Sequence, residues 1–319
     1  MAANDGRHHR VDVGAVRLDV LDAGPPGAPA LLLVSGLGSQ RTDWPAELLA
    51  GLHAAGLRTI TVDNRDTGHS TWLDDAGDGR EQLARAQRRE PFTPPYRLRD
   101  LAADLVGVLD HLDVDCAHLL GQSMGGMVAQ HLAAGWPQRA ASLTSVMSTT
   151  GDPGVGRSTR AVAQATSAPS PTERDAWIDA NVARSRLTNS PILFDEVRVR
   201  ARLTAAWDRG GVNPAGKTRQ LLAILADGDR TGWLTELRLP TLVVHGAADP
   251  VVAVDGGRAT AEAIPDARLL VLEEMAHDLP LELLATVVAA VAGHVLDTVA
   301  GLPVDAARAA GSLPGGGVS

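Results

Sequence analysis

The chain has 319 residues, 45% of them apolar and 3% aromatic, with a formal net charge of −9. That apolar share can fill a core, which excludes global disorder, and 33 glycines and 19 prolines without a fixed period exclude a collagen-like fibre. An acidic chain whose only lysine is Lys217 has no basic stripe for a phosphate backbone and too few rings to stack bases, so no nucleic-acid partner is expected.

The length fits one large domain with an insertion. A single cysteine, Cys116, permits neither an intrachain disulfide nor a cysteine metal cage, and its place in CAHLL reads as packing. The start, MAANDGRHHR, has no apolar signal core, and residues 1–9 read as a polar, frayed lead. The apolar run from Leu283 to Gly293 falls short of the ~20 residues of a spanning helix. A cytoplasmic protein with no membrane partner is expected.

In chain order, Arg10–Gly24 alternates loosely and predicts an antiparallel hairpin. Ala30–Ser35 is a continuous apolar run, as in a strand buried on both faces of a parallel sheet. Leu48, Leu49, Leu52 and Ala55 recur at helical spacing before a stop at Gly56. Leu57–Asp63 reads as a strand, NRDTGHS as a loop, and Tyr96–Leu112 as an amphipathic helix. CAHLLG is the next strand, MGGMVAQHLAAG the next helix, and Ala141–Thr149 a further strand. The alternation then stops. Residues 151–235 carry helical segments without clear strands and read as an inserted cap, after about the sixth strand. LPTLVVHG, a helix near Gly256–Ile264, ARLLVLEE and a long helix from about Pro280 complete the pattern. The predicted architecture is α/β, a mostly parallel sheet flanked by helices. Residues 1–150 and 236–300 form the core, and 301–319 a Gly/Ala/Pro-rich tail read as disordered.

The chemistry concentrates in Gly121-Gln122-Ser123-Met124-Gly125, a G-x-S-x-G between an apolar strand and a helix. A serine on such a turn stands exposed at the carboxyl end of the sheet, and the following helix N-terminus aims N–H groups at developing negative charge. Serine needs a base and a group that orients the base. In this order of elements the acid and then the histidine follow the nucleophile. His277, in a loop after a strand, is the candidate base. His294 lies inside the last helix and reads as a surface or packing residue. Asp249, closing TLVVHGAADP, is the candidate acid, with Asp152 in TTGDPG as its competitor. Two N–H donors for an oxyanion are expected from Leu37, in the loop Ser35-Gly36-Leu37-Gly38, and from Met124.

With these residues in place, the chain resembles the α/β-hydrolase superfamily, and within it the aclacinomycin methylesterase-like branch and related carboxylesterases. The matching segments are LLLVSGLGSQRTDWP, VDNRDTGHST, LLGQSMGGMVAQ, PTLVVHGAADPVV and AHDLP, in family order. The resemblance implies an α/β-hydrolase fold, with the catalytic residues on Ser123, Asp249 and His277 and the oxyanion pair on Leu37 and Met124. Three positions depart from many relatives: Ser35-Gly36 replaces His-Gly, Asp66 stands in the NRDTGHS loop, and Ala276 replaces a glycine before the histidine.

The expected function is hydrolysis of a carboxylic ester of a small molecule through an acyl-enzyme, with no cofactor and no metal. The same triad also serves thioester, lactone, perhydrolysis or C–C bond chemistry. A non-catalytic small-molecule binder on the same scaffold is the alternative from another class. Arg65 reads as a structural ion pair or an anion clamp. Trp177, Phe194, Trp207 and Trp233 line a pocket or form the cap's own core. His8-His9 reads as solvated rather than metal-binding. The oligomeric state is left open.

Overall fold

The structure, a computed structural model, describes residues 6–167 and 170–301. Eight strands form one sheet: β1 Arg7–Val13, β2 Val16–Ala23, β3 Ala30–Val34, β4 Arg58–Val62, β5 Ala117–Gln122, β6 Ala140–Val146, β7 Thr241–Gly246 and β8 Arg268–Leu272. Their spatial order is β1-β2-β4-β3-β5-β6-β7-β8. The β1–β2 and β2–β4 pairs are antiparallel, and every later pair is parallel.

All five residues of β3 are buried, as a continuous apolar run in a sheet covered on both faces requires. Alternate side chains point to opposite faces. Leu32 and Val34 pack with Leu98, Leu101 and Leu105 of α3 (Leu98–His111) and Val128 and Leu132 of α4 (Met124–Gly135). Leu31 and Leu33 pack with Leu48 and Leu52 of α1 (Ala46–Ala54). Val287, Val291 and Val295 of α11 (Leu284–Ala300) join them. A single helix, α10 (Val254–Ala263), links β7 to β8.

Between β6 and β7 the chain is helical: α5 Arg160–Ser167, α6 Arg174–Thr188, α7 Glu196–Gly210, α8 Pro214–Asp227 and the one-turn α9 Thr231–Leu234. Asp195 caps α7 by accepting from the Arg198 N–H, and Asn213 caps α8 by accepting from the Gly216 N–H, with Pro214 in the first turn. Ile178, Val182, Val199 and Leu203 join α6 to α7, with Trp177 and Phe194 against them. The Trp207 ring lies 5.6 Å from that of Trp177.

Buried charges tie this helical region to the sheet loops. Arg209 reaches Asp19 at 2.6 Å and Asp63 at 2.8 Å. Arg219 and Asp66, both with fully buried side chains, pair at 2.5 Å, and Tyr96 donates its hydroxyl to the same carboxylate at 2.7 Å.

Four expectations change. The hairpin starts at Arg7, so His8 and His9 belong to β1 and not to a frayed lead; paired charged residues form this edge strand. An additional helix, α2 (Arg80–Gln87), has no buried residue and therefore carried no apolar signal. The last apolar segment is longer than read: Leu281–Ala300 is 20 helical residues with a mean hydropathy of 1.8, long and apolar enough to cross a membrane by those two measures alone. Its inner residues are buried against the sheet. The strand after α4 ends at Val146, short of Thr149. Residues 302–319, which hold the tail expected to be disordered, lie outside the described residues.

Candidate active site

Ser123 sits between β5 and α4 with φ 55° and ψ −119°, a left-handed conformation rare for a residue with a side chain. Such a conformation costs on the order of 1–3 kcal/mol and persists only where the surroundings hold it. Here they do. The Ser123 N–H donates to the Val146 carbonyl at 2.9 Å, and the Ser148 hydroxyl donates to the Ser123 carbonyl at 2.8 Å. A Cβ on Gly125 would collide with the Val34 carbonyl oxygen, and one on Gly121 with the Gly125 backbone. Both glycines are therefore needed for α4 to approach β3 and β5 so closely.

The Ser123 hydroxyl lies 3.0 Å from His277 Nε2, and His277 Nδ1 lies 2.7 Å from Asp249 Oδ2. A carboxylate on one side and a hydroxyl on the other assign the tautomer: Nδ1–H donates to Asp249, and Nε2 accepts from Ser123. The other carboxylate oxygen of Asp249 accepts the N–H groups of Val251 at 2.8 Å and Val252 at 2.9 Å. His245 Nε2 adds a contact at 3.5 Å while donating to the Val252 carbonyl at 2.8 Å. Burial works to raise the Asp249 pKa. The hydrogen bonds from His245 and His277 outweigh it and hold the group down at about 2.

The loop after β3 runs beside the serine: a Cβ on Gly36 would stand 4.0 Å from the Ser123 hydroxyl oxygen. The Leu37 and Met124 N–H groups have no acceptor among the described residues. Gln220 of α8 fixes the loop by accepting the Gly38 N–H at 2.8 Å, and its amide donates to the Arg65 carbonyl and the Thr67 hydroxyl, each at 2.9 Å. On the opposite side, the His277 N–H donates to the Thr188 carbonyl at 3.0 Å. Asp278 accepts the Ser190 N–H at 3.0 Å, and burial pushes its carboxyl up to about 6 despite that bond.

The structure thus brings Ser123, His277 and Asp249 into one hydrogen-bonded chain, with Leu37 and Met124 beside it. It does not bring Asp152 there; that carboxylate accepts the Gly154 N–H of its own turn at 2.7 Å. Arg65 pairs with Asp104 at 2.7 Å under the Tyr96 ring, so its charge is satisfied internally. Trp177, Phe194 and Trp207 pack among the cap helices, and Trp233 packs on the main core and 5.2 Å from the His131 ring. His8 contacts Arg41 at 3.2 Å, and His9 stacks edge-on against His111. His294 is buried 3.0 Å from Arg268. Burial raises the Cys116 thiol above its usual range. No group of three metal-ligating side chains is found among the described residues. Sequence reading missed Ser148, His245, Gln220 and Asp278. Only His245 carried a signal, four residues ahead of the acid at the end of the same strand.

A strained serine between strand and helix at the carboxyl edge of a parallel sheet is the architecture of a known family. The alpha/beta hydrolase fold family matches residues 29–282, and the chain belongs to it. It is an enzyme of the hydrolase class. Among its relatives, rhodomycin D methylesterase of Streptomyces peucetius is 29% identical, over 85% of this chain and 92% of that protein. 3-Oxoadipate enol-lactonase 2 of Acinetobacter baylyi is 26% identical, over 81% of this chain and 85% of that protein. The crystal structure of a hydrolase from Pseudomonas aeruginosa superposes with a TM-score of 0.64 at 26% identity, covering 94% of this chain and 100% of that one. An esterase from a Rhodococcus species shares the fold, with a TM-score of 0.70 at 21% identity, over 92% of this chain and 99% of that one.

Proposed function

We propose that the protein is a serine hydrolase that cleaves a carboxylic ester of a small molecule, a methyl ester of a metabolite in the first instance. The observation that carries this reading is the chain from the Ser123 hydroxyl through His277 to Asp249, with contacts of 3.0 Å and 2.7 Å.

The hydroxyl of Ser123 attacks the ester carbonyl as His277 Nε2 takes its proton. Asp249, ionised throughout the neutral range because its carboxyl is held at about 2, keeps the imidazole oriented and stabilises the imidazolium. The Leu37 and Met124 N–H groups, free of other acceptors among the described residues, stabilise the oxyanion. His277 then gives its proton to the leaving alcohol. A water, activated by the same imidazole, attacks the acyl-enzyme, and the acid leaves as Ser123 regains its proton. Every step is proton transfer and acyl transfer, so the residues named suffice without a cofactor. The methylesterase relative supports the methyl ester, and the enol-lactonase relative supports a cyclic ester as the second reading.

Hydrolysis of p-nitrophenyl esters from acetate to palmitate, by wild type and Ser123→Ala, tests this. The expected outcome is turnover by wild type that drops roughly 10⁴-fold or more in Ser123→Ala. Failure of a fluorophosphonate to label wild-type Ser123 would instead leave a non-catalytic binder.

A further inference from the structure

The buried or partly buried arginines around the cap and the sheet loops each hold a carboxylate: Arg41 and Arg209 hold Asp19, Arg219 holds Asp66, and Arg230 holds Asp227. Two cations near the site do not. Lys217, on α8, packs its side-chain stem against the loop that carries Leu37: its Cγ and Cδ stand 3.2 Å from where a Gly38 Cβ would be. The Lys217 ammonium has no acidic partner and no hydrogen-bond acceptor among the described residues; the backbone N–H of this residue donates to the Asn213 carbonyl at 2.9 Å. Among the described residues Arg184, on α6 one turn before the Thr188 carbonyl that meets His277, is also without a carboxylate. There its terminal nitrogens donate to neutral oxygens, Asn181 Oδ1 at 2.6 Å and the Ala165 carbonyl at 3.3 Å. Its Nε–H is buried with no acceptor among the described residues. Burial, and then repulsion by Arg184, pushes the Lys217 ammonium down to about 8, and burial also lowers Arg184.

Two cations without a carboxylate, in a chain that neutralises its other buried cations, are a cost that an arriving anion removes. The stem of one lies against the oxyanion loop, and the other stands on the helix whose last turn meets the histidine loop. We propose that Lys217 and Arg184 bind a free carboxylate of the substrate, so that the ester cleaved at Ser123 is one arm of a half-esterified dicarboxylic acid. The proposal rests on the reading of Ser123 as nucleophile and adds the chemical class of its substrate.

The test pairs p-nitrophenyl hydrogen adipate with p-nitrophenyl hexanoate, which has a methyl group where the other has its carboxylate. Wild type, Lys217→Met and Arg184→Met are compared by kcat/KM on both esters, and by the thermal shift caused by adipate. Methionine keeps an unbranched stem against Gly38 and removes the charge. The expected result is a wild-type preference for the anionic ester of about tenfold or more, as a charge-assisted contact provides, lost in either variant. Adipate should raise the melting temperature of wild type only. Equal use of the two esters by wild type, or equal loss on both esters in the variants, would overturn the proposal. So would an adipate shift that survives both substitutions or is matched by inorganic phosphate. If neither ester turns over, the hydrolase reading fails, and the adipate shift still decides whether the cation pair binds a carboxylate.

Discussion

The two sides of the reaction centre are held by different forces. At the sheet edge, the turn at Ser123 is fixed by backbone hydrogen bonds, by Gly125 packed on the Val34 carbonyl and Gly121 on the Gly125 backbone, and by apolar layers above and below. In the cap, α7 and α8 are anchored by arginines: Arg209 to Asp19 and Asp63, Arg219 to Asp66, and Arg202 to Asp43 at 3.1 Å. Apolar packing tolerates no displacement without opening a void. Charge pairs have discrete partners that one substitution removes. Ser123 therefore stands on the rigid side, while the helical side hangs on a few nameable contacts.

Substitutions at each side sharpen that contrast. The largest effect is expected at the rigid side without any loss of fold: Asp249→Asn should lower kcat by about 10⁴, with the thermal transition little changed. A parallel loss of structure would show that the carboxylate serves the loop more than the histidine.

Next comes the cap anchor. Asp66→Ala leaves the fully buried Arg219 without its carboxylate and should cost about 3–5 kcal/mol in chemical denaturation. A cost below about 1 kcal/mol, the range of an exposed pair, would break the comparison.

Smaller and pH-dependent is Asp278. Its carboxyl rises from 3.8 to about 6 on folding, so the folded protein binds the proton more tightly, and stability falls as pH rises between those values. Asp278→Asn should abolish that fall and exceed wild type above pH 6 by at most about 3 kcal/mol. Denaturation at pH 4 and pH 8 measures it; a wild-type-to-variant difference that stays constant across the window contradicts it. The smallest effect belongs to the exposed pair of Arg174 and Asp208 at 2.9 Å, whose removal by Arg174→Ala should leave the thermal transition where it is in wild type.

The core was legible because its signals are local. Runs such as ALLLV and TLVVHG announce buried parallel strands, and the G-x-S-x-G turn is a strand-to-helix junction visible within a few residues. The helix Arg80–Gln87 was invisible because nothing in REQLARAQ is buried. The edge strand at His8 and His9 was misread because its charged residues face solvent. The supports of the site come from far along the chain: Ser148 on the serine carbonyl, Gln220 on the Gly38 N–H, and Ser190 on Asp278. No periodicity encodes such pairings. The cap aromatics were ambiguous because a tryptophan at helical spacing looks alike in a pocket wall and in a core.

The bond from the His277 N–H to the Thr188 carbonyl makes the helical region part of the frame that holds the imidazole. It joins the last turn of α6 to the loop that carries the imidazole, and Asp278 fastens the same loop to Ser190 one step further on. A displacement of this end of α6 must either break that bond or carry the imidazole with it, so a change remote from Ser123 reaches the base through backbone alone.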